Sequence, residues 1–203
     1  MSSNSDFAET AERLIVDGRV DDARALLDEH LREVPESWSW LVDRGDEREI
    51  AFWNEGEFEA YRAYFGPRVA TGLRITWVGP SYPKAFFLSA GIAAQAGRTD
   101  DAVALIERGL ALEPDHPQLL LRLAALRDAG GRTAEALALA ESASVSRSWS
   151  PREDATAARD AATRYRLKLA APPLPLGSEA PTNSGPARTP SFATFDDNGP
   201  GSG

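Results

Sequence analysis

The chain has 203 residues, no cysteine and a net charge of −9, so disulfides and thiolate metal sites are excluded and a reducing cytoplasm is the natural compartment. The acid excess disfavours nucleic acid and anionic membrane as partners, and the longest nearly apolar run, Ala85 to Ala94, is too short to cross a bilayer. Charge is uneven: residues 1–66 hold 17 acids against 7 bases, whereas no acid lies between Glu59 and Asp100, a gap that carries Arg62, Arg68, Arg74, Lys84 and Arg98.

In chain order, the polar start Met1 to Phe7 lacks the basic and apolar pattern of a secretion signal, and a soluble, unexported protein is expected. A helix pair is predicted over 4–37, with Phe7, Ala11 and Leu14 on the first helix, Gly18 in the turn, Ala23 and Leu27 on the second and Pro35 closing it. The stretch 38–82 is less regular. Taking Gly56 as an inter-helix turn makes it a divergent second pair, in which Phe58, Tyr61 and Phe65 share one helical face. The Gly- and Pro-bearing run that follows cannot stay helical, and the alternation of Leu73, Ile75 and Trp77 predicts a strand inside an ordered insertion.

The clearest unit is 83–116. Phe86, Ala90, Ala93 and Ala94 give the first helix an apolar face of mostly small residues. After Gly97, Thr99 is a candidate N-cap, Asp100 and Asp101 suit the helix dipole, and Ala102, Leu105, Ile106 and Leu110 make the second face before Pro114. Gly131 and Ala136 repeat Gly97 and Ala102 at an offset of 34 residues, so 117–150 is a further copy, with Leu120, Ala124 and Ala140 in register. Ser150, Pro151 and Glu153 read as a capping box opening a last helix over 151–169, whose face is Ala155, Ala158, Ala162, Tyr165 and Leu169. From Ala171 to Gly203 seven Pro, five Gly and four Ser predict a disordered tail.

The 34-residue offset and the large, small, aromatic, Ala, large, Pro order of Phe86, Ala90, Ala93, Ala102, Ile106 and Pro114 resemble the tetratricopeptide repeat. The resemblance spans about residues 4–148 and implies an all-α solenoid of about four helix pairs with a capping helix over 151–169. The domain expected is therefore 1–170, followed by the tail 171–203. It also implies a concave face, lined by the first helix of each pair, that holds a protein or peptide.

On that face the resemblance places Lys84, Phe87, Gln118, Leu121 and Arg122, and the central region adds Arg74 and Trp77 as candidate partner contacts. Arg74, Lys84 and Arg122 would select an acidic segment. The carboxylate clamp of some relatives is incomplete, since Gly91 and Ala125 stand where an Asn is wanted. Twelve of the 17 aromatics lie between Trp38 and Phe87; they either fill the irregular repeat or form an interface, including a homodimer interface, and a Trp-lined small-molecule pocket is a third reading. In the tail, Phe192, Phe195, Asp196 and Asp197 form a candidate docking motif. No enzyme chemistry, metal site or cofactor is expected. His30 and His116 are read as surface or packing residues, and the doubled acids Asp21–Asp22 and Asp100–Asp101 belong to helix starts.

Overall fold

Three helix pairs repeat one local design. In the computed structural model, which describes residues 6–66 and 72–171, the pairs are α1 (Phe7–Val16) with α2 (Val20–Leu31), α4 (Tyr82–Gln95) with α5 (Thr99–Leu112), and α6 (Pro117–Ala129) with α7 (Thr133–Val145). Each pair turns on a glycine at positive φ: Gly18 at 77°, Gly97 at 74° and Gly131 at 78°. The glycine N–H bonds the carbonyl three residues back, and the following Arg N–H bonds the carbonyl five back: Arg19 to Leu14, Arg98 to Ala93, Arg132 to Arg127. This is a Schellman ending, which a side chain at the glycine position would strain.

Fully buried alanines, Ala11 with Ala23, Ala90 and Ala93 with Ala102, and Ala124 with Ala136, let the paired helices approach closely. α8 (Arg152–Ala170) covers the last pair with Ala158, Ala161, Ala162 and Tyr165. Of its expected face, Leu169 instead stands exposed near the helix end.

The stretch 38–82 differs from the expected helix pair. It forms β1 (Leu41–Arg44), β2 (Glu47–Ile50), α3 (Glu55–Phe65) and β3 (Arg74–Trp77). β1 and β2 are antiparallel, with Arg44 opposite Glu47 across a two-residue loop at Gly45, whose φ of 74° suits glycine. β3 runs parallel to β2, with Ile50 opposite Trp77, so α3 is the crossover of a small β–α–β unit. Gly56 therefore sits in the first turn of α3 and not between two helices. The strand expected around Ile75 is present, and Ile50, Phe52 and Tyr61 form a separate core with Phe58, Ile75, Trp77 and Trp149.

Two expected caps are displaced. α5 begins at Thr99 with Arg98 as N-cap, because the glycine turn delivers the chain to the helix one residue early. Pro151 has an extended ψ of 142° and takes the N-cap of α8 itself, leaving the Ser150 hydroxyl buried without a partner and the capping box unformed.

Packing between pairs is tight at Gly109 in α5. A Cβ there would lie 3.0 Å from Leu119 Cδ2 and 3.3 Å from Phe86 Cβ. Gly109→Val is expected to cost about 1–3 kcal/mol through overpacking, measured by urea unfolding, although Val is the better helix former.

Candidate functional site

The first helices α1, α4, α6 and α8 supply one face of the repeat, and the insertion docks Trp53 into it. Trp53 follows β2 and is 3% exposed. Its ring stacks on His116 at 3.6 Å between centroids, with planes 17° apart, and meets Phe87 at 5.4 Å. The buried Lys84 Nζ donates to the Trp53 carbonyl at 2.8 Å and pairs with Glu12 at 2.7 Å.

A buried polar network ties this turn to two other connections, α5–α6 and α7–α8. The Glu57 carboxylate accepts from Trp53 N at 2.9 Å and is 2.9 Å from His116 Nε2. His116 is the N-cap of α6 and its Nδ1 accepts from Gln118 N, which places the ring proton on Nε2 and donates it to Glu57. Trp53 Nε1 donates to Glu113 Oε2 at 3.1 Å. Arg147 reaches Glu113 and Asp115 at 2.7 Å each, with its guanidinium 4.9 Å from the Trp40 ring and 5.0 Å from that of Trp149.

Burial opposes ionisation of Glu57, but the His116 contact, the Trp53 N–H and the Arg147 charge outweigh it and hold its carboxyl below the usual range. Asp154 on α8 goes the other way: burial, reinforced by the Glu57 charge, raises it against the hydrogen bond from Gln118. Its Oδ2 is buried without a partner.

These two carboxylates have opposite linkage. Stabilisation by Glu57 is complete above the ordinary carboxylate range and is lost as pH falls through its lowered value. The folded state keeps the Asp154 proton to higher pH than the unfolded chain does, so its ionised form opposes folding at neutral pH. Asp154→Asn should therefore stabilise the protein at neutral pH by about 1 kcal/mol, the usual order for an unpaired buried polar atom. Urea titrations should show that gain shrinking as the solution is acidified through the raised Asp154 value.

The docked turn leaves two grooves. One, of about 320 Å³, lies on α4, α6 and α8 and is lined by Phe87, Leu121, Ala125 and Ala157, with Gln118, Arg122 and Asp154 at its rim. The other, of about 800 Å³, lies between α1 and the insertion and includes Asp6, Glu9, Glu12, Arg13, Glu55, Trp53, Phe58, Trp77 and Lys84. Four of the seven candidate contacts, Phe87, Gln118, Leu121 and Arg122, thus share the first groove, while Trp77 and Lys84 line the second. Arg74 borders neither; it is exposed on β3 and pairs with Glu47 at 3.2 Å. Phe192, Phe195, Asp196 and Asp197 lie outside the described residues.

Sequence reasoning did not single out Glu57, Glu113 or Arg147. These residues come from three separate connections, and no local spacing marks them. His116 packs in the interior, and His30 stacks on Phe7 at 4.3 Å. Among the described residues no cluster of His, Asp and Glu is arranged to hold a metal ion, and no helix is long and apolar enough to cross a membrane.

Residues 93–145, which run from the end of α4 through α7, match the family model described as tetratricopeptide repeat. The repeats are of the tetratricopeptide type. A solved structure shares the fold: the type III secretion translocator chaperone SycD of Yersinia enterocolitica is similar, with a TM-score of 0.50 and 14% identity over 83% of this chain and 88% of that one. At that identity the likeness concerns the fold. No curated protein sequence matches this chain.

Proposed function

We propose that this chain is a protein- or peptide-binding scaffold, an adaptor, co-chaperone or regulatory subunit, that holds its partner in the α4–α6–α8 groove. The observation that carries the reading is the apolar floor of Phe87, Leu121, Ala125 and Ala157, open on the face built from first helices and edged by polar side chains. Tetratricopeptide-type architecture supports it, because stacked helix pairs create extended concave binding surfaces. The structurally similar SycD is a translocator chaperone, and a chaperone works by binding other proteins.

An acidic partner segment is supported by one of the three cations chosen from sequence. Arg122 stands 4.8 Å from the Phe87 ring at the groove edge, where it can meet a carboxylate. Arg74 and Lys84 already hold Glu47 and Glu12. The central aromatics favour the scaffold reading over self-assembly, since Phe52, Trp53, Tyr61 and Phe86 are buried within the chain's own cores.

The test is partner capture by the full chain and by Leu121→Glu, which sets a charge on the groove floor. A protein retained by the wild type and depleted about tenfold by the variant, a change of about 1.4 kcal/mol, is the expected result. Equal retention would remove this groove as the site. A stable dimer on dilution, in which Leu121→Glu had no effect on any partner, would favour self-assembly.

A further inference from the structure

The groove between α1 and the insertion differs in chemistry from the apolar one, and we infer that it receives a basic side chain of the bound segment. The inference rests on the scaffold reading above and adds the charge pattern of the partner.

The groove's lining contains four carboxylates, Asp6, Glu9, Glu12 and Glu55, against two cations, Arg13 and Lys84. Lys84 is committed: its ammonium is held by Glu12 and by the Trp53 carbonyl, and its side chain is 8% exposed. Arg13 bonds the Thr10 hydroxyl. The two helix starts that border the groove are already satisfied, α1 by the Asp6 side chain and α3 by that of Asn54. Glu9 on α1 and Glu55 on α3 are exposed and have no hydrogen bond or ion pair within the described residues.

Helix-start electrostatics accounts for an acid at each position taken alone. It does not account for a shared groove of about 800 Å³ whose inner wall is aromatic, with Phe58 and Trp77 half-buried there. Carboxylates beside aromatic rings attract a cation by charge and by the ring quadrupole together, and an arginine side chain satisfies both with its planar fork. Phe58 already shows this preference, with the Arg62 guanidinium 5.3 Å from its ring. The volume admits several residues of chain, so the occupant is a basic segment of a protein.

The partner therefore places an apolar stretch on α4, α6 and α8 and an arginine or lysine beside Glu9 and Glu55. The probes are two short synthetic peptides, one alternating Leu and Arg and one alternating Leu and Glu, titrated into the full chain by fluorescence anisotropy. The Leu–Arg peptide should bind more tightly, lose affinity as salt rises, and bind about tenfold more weakly to the Glu9→Gln/Glu55→Gln double variant. Both positions are exposed, and an unchanged thermal midpoint verifies that this variant folds.

Equal binding of the two peptides, no binding of either, or an unaffected double variant would overturn the inference. Leu121→Glu separates it from the reading it rests on. If that variant abolishes binding while the double variant does not weaken it, the scaffold reading stands and the basic subsite falls. If the double variant weakens binding and Leu121→Glu does not, the acidic groove stands and the apolar one falls.

Discussion

Replacing Arg147 by Leu should destabilise the protein by about 3–5 kcal/mol, the range expected when one partner of a buried ion pair is removed. The Arg147 and Glu113 side chains are each 2% exposed. One guanidinium nitrogen serves both Glu113 and Asp115, and the Glu113 oxygen facing away takes the Trp53 indole N–H. Burial works against the Arg147 charge, but the attraction of Glu113 and Asp115 outweighs it and raises the proton affinity of the guanidinium. Without Arg147, Glu113 would remain a buried carboxylate with a single neutral donor, and the rings of Trp40 and Trp149 would lose the plane they enclose.

The cause can be tested by adding Glu113→Gln. The neutral amide oxygen still accepts from Trp53, so the double variant should recover part of the loss. Arg147→Lys keeps the charge without the planar fork and should fall between wild type and Leu. Arg166→Leu breaks the exposed contact with Glu141 and should cost under about 1 kcal/mol. A urea-derived loss for Arg147→Leu no larger than that of Arg166→Leu would mean that the network contributes no net stability.

The repeats were legible because their determinants are local. A Gly–Arg pair every 34 residues fixes the same positive-φ turn, and the alanines beside it have no other reason to recur. Four of the candidate contacts fell into one groove for the same reason, since helical spacing alone puts Gln118, Leu121 and Arg122 on one side of α6. The β–α–β unit was only partly readable. Leu73, Ile75 and Trp77 showed the alternation of β3, but Leu41–Arg44 and Glu47–Ile50 are too short and too charged to announce a hairpin, and Gly45 offered the one turn signal.

The buried network left no sequence signal of any kind. Trp53 and Glu113 are 60 positions apart, Glu57 and His116 59, and Arg147 and Glu113 34. Nothing in the surroundings of Arg147 separates it from the exposed arginines of other connections. The cap errors have a different origin: turn geometry, and not the nearest hydroxyl, decides where α5 and α8 begin.

The second large effect is expected from Trp53→Ala, at about 3–5 kcal/mol, because the ring belongs to the same core as Ala93, Ile106, Leu119 and Leu123 and its deletion leaves a cavity. The variant should also show whether Trp53 is the anchor of the insertion. Its indole supplies the stack on His116 and the bond to Glu113, while its backbone N–H and carbonyl stay available to Glu57 and Lys84. Amide exchange in the variant should therefore rise first in residues 47–66 and at Gln118, whose N–H caps onto His116, and least in α7. Trp53→Phe, which keeps a ring but not the donor, should lose less and retain the pattern if the Ala variant is too unstable to measure. Acceleration spread evenly over the insertion and α4–α7 would show instead that the insertion has no separate opening and that the β–α–β unit and the repeats unfold as one cooperative body.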